Sequence, residues 1–146
     1  MDFGNTKKYI DKWQKTLRLA DWDIRFQFVD TEWRKTGDIK IDADDRSAVL
    51  LVNRFNPKQD NLEELIIHEL LHLKLHGLDQ MIETLMECVY GKNEDDPQKA
   101  FAYHQFMSVL ESTVHDLTKS FLLESGENKE LSFGRLAQEI RQEIGA

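Results

Sequence analysis

Residues 64–77 read ELIIHELLHLKLHG, and a chain that contains this segment has to fold around it. Leucine and isoleucine at 65, 66, 67, 70, 71, 73 and 75 cover nearly the whole circumference of a helix, so the helix is expected to be largely buried. Three of the five histidines nevertheless fall inside it, at 68, 72 and 76. In an α-helix, positions i and i+4 lie about 40° apart around the axis, so His68 and His72 point the same way from successive turns. Two imidazoles so placed both reach one zinc ion at roughly 2.0–2.1 Å. Glu69 lies about 100° further round, beside such an ion and not on it. A carboxylate there can take a proton from a metal-activated water and pass it to a leaving group. Burying a His–Glu–His cluster among leucines is costly unless the cluster shares a partner such as a metal. The competing reading is a core helix whose histidines hydrogen-bond to neighbouring groups.

The segment before this helix carries strand patterns. In DWDIRFQFVD, Trp22, Ile24, Phe26 and Phe28 alternate with polar residues, as in a half-buried strand. IKIDA and SAVLLVNRF read as two more strands joined by the acidic turn DADDR, with TEWRKTGD a turn before them. At the amino end, Tyr9, Ile10, Trp13 and Leu17 have helical spacing, with Asn5 or Thr6 as N-cap. After NPKQDN, Asp60 or Asn61 is placed to cap the central helix, whose first turn holds Glu63 and Glu64 and which is expected to run to Gly77. Further helices are expected over DQMIETLMECVYG, over Pro97 to about Glu124, and over residues 132–143. One helix, three strands and then only helices make an α+β chain, expected as a single domain over residues 1–146.

Composition narrows the partners. The net charge is −8 and no run of Lys or Arg offsets it locally, which argues against nucleic acid and anionic membranes. Cys88 is the only cysteine, so neither an internal disulfide nor a cysteine-based zinc cluster is available. The charged start lacks the apolar core of a signal peptide, and no apolar stretch approaches the roughly 18–20 residues that span a bilayer. A reducing cytoplasm is the expected location. Cys88, among apolar residues, is expected to be a buried, inert thiol; Trp13, Trp22 and Trp33 are expected to anchor helix–sheet packing.

IIHELLHL resembles the active-site helix of the HExxH zinc metallopeptidases, the zincins, and especially their small bacterial and phage-encoded members. The resemblance is specific over about residues 62–76 and loose over the strands before and the long helix after. It implies a zincin-like fold, in which a small three-stranded sheet packs on the active-site helix and a helical half follows. It also implies one Zn2+ per chain, a protein or peptide substrate lying antiparallel along an edge strand, and hydrolysis of its peptide bonds. SAVLLVNRF is the expected edge strand.

The resemblance further asks for a third protein ligand and an open position for water. HELLHLKLHGL lacks the glycine and third histidine of the metzincin branch, which leaves the gluzincin arrangement with a glutamate on a later helix. Glu111 is the first candidate. It lies at the edge of a stripe formed by Phe106, Met107, Leu110, Val114, Leu117 and Phe121, with His104 and His115 on its side of the helix. Glu83 or Glu87 ranks next, then His76, which is expected to end the central helix and to favour its dipole when charged. Gluzincins also carry a Tyr or His that stabilises the tetrahedral oxyanion. His115 is the candidate here and His104 the second, whereas Tyr103 falls inside the stripe and reads as core. The family often places an orienting Asp four residues after its third ligand. His115 holds that position and Asp116 the next.

The expectation is therefore a zinc metallopeptidase with ligands His68, His72 and Glu111 and with Glu69 as general base and acid. A non-catalytic zinc module with the same fold, in which Glu69 is dispensable, is the alternative; a metal-free helical interaction module is a third. A regulatory partner protein is expected to supply specificity. The terminal LSFGRLAQEIRQEIG reads as a packing helix, with an inhibitory segment as the other reading.

Overall fold

The computed structural model describes residues 1–145. A short 3-10 turn, Phe3–Asn5, leads into α1 (Thr6–Thr16). Three strands follow, β1 (Asp23–Val29), β2 (Gly37–Asp42) and β3 (Ser47–Asn53). Four helices complete the chain: α2 (Leu62–Lys74), α3 (His76–Tyr90), α4 (Pro97–Ser125) and α5 (Gly134–Ile144). This is the expected α+β order of one helix, a small sheet and a helical half.

The sheet order is β1-β3-β2, with β1 parallel and β2 antiparallel to β3. β3 is thus the central strand, which corrects the expectation that SAVLLVNRF is an edge. Its burial shows why: Ala48, Leu50 and Val52 are within 3% of full burial on one face, and both of its backbone edges are paired. A run so apolar suits a central strand better than an edge. The free edge beside α2 belongs to β2, the more polar GDIKID.

The core gathers on α2. Ile66, Ile67 and Leu70 are fully buried, together with Trp13 of α1, Leu50 and Val52 of β3, and Val114 and Leu122 of α4. Each such side chain stabilises the fold by roughly 1.5–3 kcal/mol, so rotation of α2 about its axis is strongly opposed. The cap is Asn61, whose side chain accepts from Glu64 N at 3.0 Å. At the other end the axis breaks at Leu75, two residues before the expected Gly77, and His76 begins α3 instead of closing α2. The favourable dipole interaction expected of His76 at a helix C-terminus therefore does not apply.

Several core expectations need correction. Trp13 is fully buried and Trp22 packs against the core, but Trp33 sits in the β1–β2 loop outside the core cluster. Tyr103 is 42% exposed, Leu117 is exposed beside the α4 stripe, and Cys88 is exposed on α3. From Leu110 onward the buried positions of α4 are Leu110, Val114, Thr118 and Leu122, while Phe106, Met107 and Phe121 of the expected stripe are half-buried against the core. α5 does not pack as a core helix: Leu136, Ile140 and Ile144 are all more than half exposed. Among the described residues no helix is long and apolar enough to cross a membrane.

Candidate metal centre

His68 and His72 project from successive turns of α2, with ring centroids 4.9 Å apart. α4 crosses α2 so that Glu111 comes between them. Its Oε1 lies 2.9 Å from His72 Nε2 and its Oε2 lies 3.7 Å from His68 Nε2. One donor atom from each of the three residues falls within 4.8 Å of the other two. Ligand atoms that share a tetrahedral zinc at roughly 2.0–2.1 Å stand about 3.3 Å apart, so two imidazoles and a carboxylate at this spacing fit that ion with small side-chain adjustments. Glu83 and Glu87 lie on α3 outside this group, as does His76, so the structure brings together the first-ranked ligand set and not its rivals.

The electrostatics of the cluster follow from burial and proximity. Burial, reinforced by the charge His72 carries when protonated, pushes the His68 imidazole down to about 4. Burial opposes charge on His72 too, but the hydrogen bond and charge of Glu111 outweigh it and raise His72. The same bond from His72 holds the Glu111 carboxyl below its ordinary range. The His72–Glu111 hydrogen bond thus spans the region where a cation would sit.

Glu69 is 6% exposed, on the flank of α2 next to this group and outside it. Burial pushes its carboxyl up to about 7, so it gains and loses a proton near neutrality. His115 follows Glu111 by one turn of α4. Its Nε2 is 3.9 Å from Glu111 Oε2 and its ring centroid 4.8 Å from that of His68. With 60% of its side chain exposed, it stands on the open side of the cluster. His104 is exposed and lines neither cavity of the site.

Two cavities meet at the cluster. One, of about 500 Å³, runs along β2 past Gly37, Asp38 and Ile39 to His68, Glu69 and His72. Gly37 is needed there, because a Cβ would lie 2.6 Å from Leu65 Cδ1 of α2. The other, of about 620 Å³, opens between the β1–β2 loop, Lys58 and Gln59, α4, and residues 132–136, where the strap of residues 126–133 runs into α5.

Sequence reasoning missed three features of this site. Asp79 of α3 shares the first cavity with His72 and Glu111, and its charge favours protonated His72. Its Oδ1 is buried without a hydrogen-bond partner, whereas Asp116, one residue past the expected orienting position, is exposed on α4. Glu63 and Glu64 do more than favour the helix dipole: Glu63 accepts from Glu127 N and Asn128 N, and Glu64 from Ser132 N, so the first turn of α2 suspends the strap. Arg34, Lys58 and Lys119, far apart in sequence, all line the larger cavity. The paired acidic residues ahead of an apolar run were the one available signal, and they read equally well as a helix start.

No protein-family model matches the chain, and neither the curated proteins nor the solved structures contain a significant match to it.

Proposed function

We propose that this chain is a zinc-dependent metallopeptidase that hydrolyses peptide bonds with a metal-activated water. The observation that supports the reading is the convergence of His68, His72 and Glu111 donor atoms within 4.8 Å, with the H-E-x-x-H glutamate buried alongside and outside the group. Bound zinc supplies Lewis acidity, polarising a carbonyl and lowering the pKa of the water it holds. Glu69, buried beside the group and outside it, would serve as the proton acceptor for the attacking water and the donor to the leaving amine. His115, on the open side, donates from Nε2 to the oxygen on which charge develops. Asp79 shares the β2 cavity with His72 and Glu111 and adds a carboxylate beside the group. The free edge of β2 takes the extended substrate, in place of the central β3.

The test is a pair of measurements on one preparation: metal content without added zinc, and cleavage of an unfolded protein. The expected result is about one zinc per chain, with Glu69→Gln keeping its zinc while losing roughly 10²–10⁴-fold in turnover. Full zinc with no activity, or with activity indifferent to Glu69→Gln, returns the chain to a non-catalytic zinc module. No zinc, and none taken up on addition, ends both readings.

A further inference from the structure

The larger cavity has a charge opposite to that of the chain. Across the chain 27 acidic residues outnumber 19 basic ones, yet the wall of this cavity carries Arg34, Lys35, Lys58, Lys119 and Arg135 against Glu64, Glu69 and Glu111. The three carboxylates are committed. Glu64 accepts from Ser132 N at 2.9 Å, Glu69 is buried, and Glu111 is held by the histidines. Two of the cations are partly neutralised, Lys35 by Asp38 at 2.9 Å and Arg135 by Glu139 at 3.5 Å. Arg34, Lys58 and Lys119 have no carboxylate within 4 Å among the described residues. They come from three separate segments, the β1–β2 loop, the β3–α2 loop and α4, so they meet only through the fold. Cations around a cleft with low-dielectric walls focus a positive potential into it, and here they do so against a net charge of −8.

We propose that this cleft selects substrate segments rich in Asp and Glu, bound on one side of the scissile bond. The inference rests on the peptidase reading and names its substrate class. Three cations without a carboxylate partner, of which Lys58 donates only to the Arg34 carbonyl, match several anionic groups spaced along an extended chain better than they match one small anion. Arg34, Lys58 and Lys119 are then specificity-determining residues: they attract acidic side chains and leave the chemistry to the cluster on α2 and α4.

The experiment uses zinc-loaded Glu69→Gln protein and fluorescein-labelled decapeptide pools of random background. The pools carry four fixed Asp/Glu, four Asn/Gln or four Lys/Arg. The acidic pool is expected to bind at least about tenfold more tightly than the amide pool at low salt, with the advantage shrinking as salt screens it. Replacing Arg34, Lys58 and Lys119 together by Gln is expected to abolish the advantage while circular dichroism and zinc content stay unchanged. Equal affinity for the acidic and amide pools, no binding of the acidic pool, or an advantage that survives the triple replacement overturns the inference. So does a single-stranded oligonucleotide of equal charge that binds more tightly than the acidic pool. Wild-type cleavage of the same pools separates the two readings. Cleavage without acidic preference sinks this inference alone, whereas acidic binding without cleavage of any pool sinks the peptidase reading and with it the cleft's role in substrate selection, leaving an acidic-peptide binding site.

Discussion

Glu63 ties α1, α2 and the strap together through one buried carboxylate. Its side chain is fully buried in the first turn of α2. One oxygen accepts from Trp13 Nε1 at 2.7 Å and Lys12 Nζ at 3.3 Å, and the other from Glu127 N at 2.7 Å and Asn128 N at 3.2 Å. Burial alone would raise its pKa, but the bonds from Trp13, the two backbone amides and Lys12 outweigh it and hold the carboxyl below the ordinary range. Glu63→Gln keeps the shape and removes the charge, and its amide nitrogen must then face one of the two donor pairs. If it faces Trp13, a fully buried N–H loses its acceptor, which costs about 1–3 kcal/mol; loss of the charge-assisted character of the remaining bonds adds about 1 kcal/mol. The expected total is about 2–4 kcal/mol, a large share of the roughly 5–15 kcal/mol that holds a domain together. Urea denaturation at pH 7 measures it. Because the folded pKa is depressed, the stabilisation is present above the unfolded value near 4.5 and is lost as pH falls through the folded value. Wild type and variant should therefore converge as the pH drops below about 4.5. A difference under about 1 kcal/mol at pH 7, or one that stays constant down to pH 3, would refute this account of Glu63.

Two further predictions concern the site. Zinc added at about 1,000 times its dissociation constant should stabilise the protein by about 4 kcal/mol, on the order of 10 °C in melting temperature. Glu111→Ala should lose most of that increment while melting close to wild type in chelator; an undiminished zinc response would remove Glu111 from the ligand set. Gly134→Ala should push the start of α5 off the β3–α2 loop, because the added Cβ would run into the Lys58 carbonyl oxygen. Hydrogen exchange should then quicken over residues 58–60 and 130–136 with zinc affinity retained, and unchanged exchange there would contradict it.

What was legible in the sequence was whatever depends on short-range periodicity. His68, Glu69 and His72 are placed by one turn of helix, and the leucines around them announced its burial. Glu111 was reachable for the same reason, because its neighbours on α4 showed which side of that helix turns inward. The position of β3 was not legible, because order along the chain does not say which strand inserts between the other two. β1 pairs with β3 and leaves β2 at the edge, a choice set by long-range packing that alternation cannot encode. Tyr103 and Leu117 were misjudged because a helical stripe does not show how far along its width a neighbour covers it, and Cys88 because apolar neighbours in sequence were taken as neighbours in space; all three are exposed. The cationic cleft was invisible because Arg34, Lys58 and Lys119 belong to no local pattern.

Both the proposed metal ligands and the strap beside the cleft hang from α2, at different heights. Its first turn holds the strap through Glu63 and Glu64, and Asn61 Nδ2 adds bonds to the Asn128 and Glu130 carbonyls at 2.9 and 2.8 Å. One and two turns further on, His68 and His72 face Glu111. Leu110 and Val114 bury α4 against the core on either side of Glu111, so the proposed ligand set is anchored independently of the strap. The strap is tied mainly by polar groups, and the α5 that follows it exposes its apolar side. Loss of Glu63 should therefore act on the two ends differently. The strap wall should open and the hold on substrate weaken, while Ile66, Ile67 and Leu70 keep the histidines in place. In Glu63→Gln, KM should rise more than kcat falls at temperatures where the variant is still folded. An equal loss in both would mean that strap and metal cluster move as one unit.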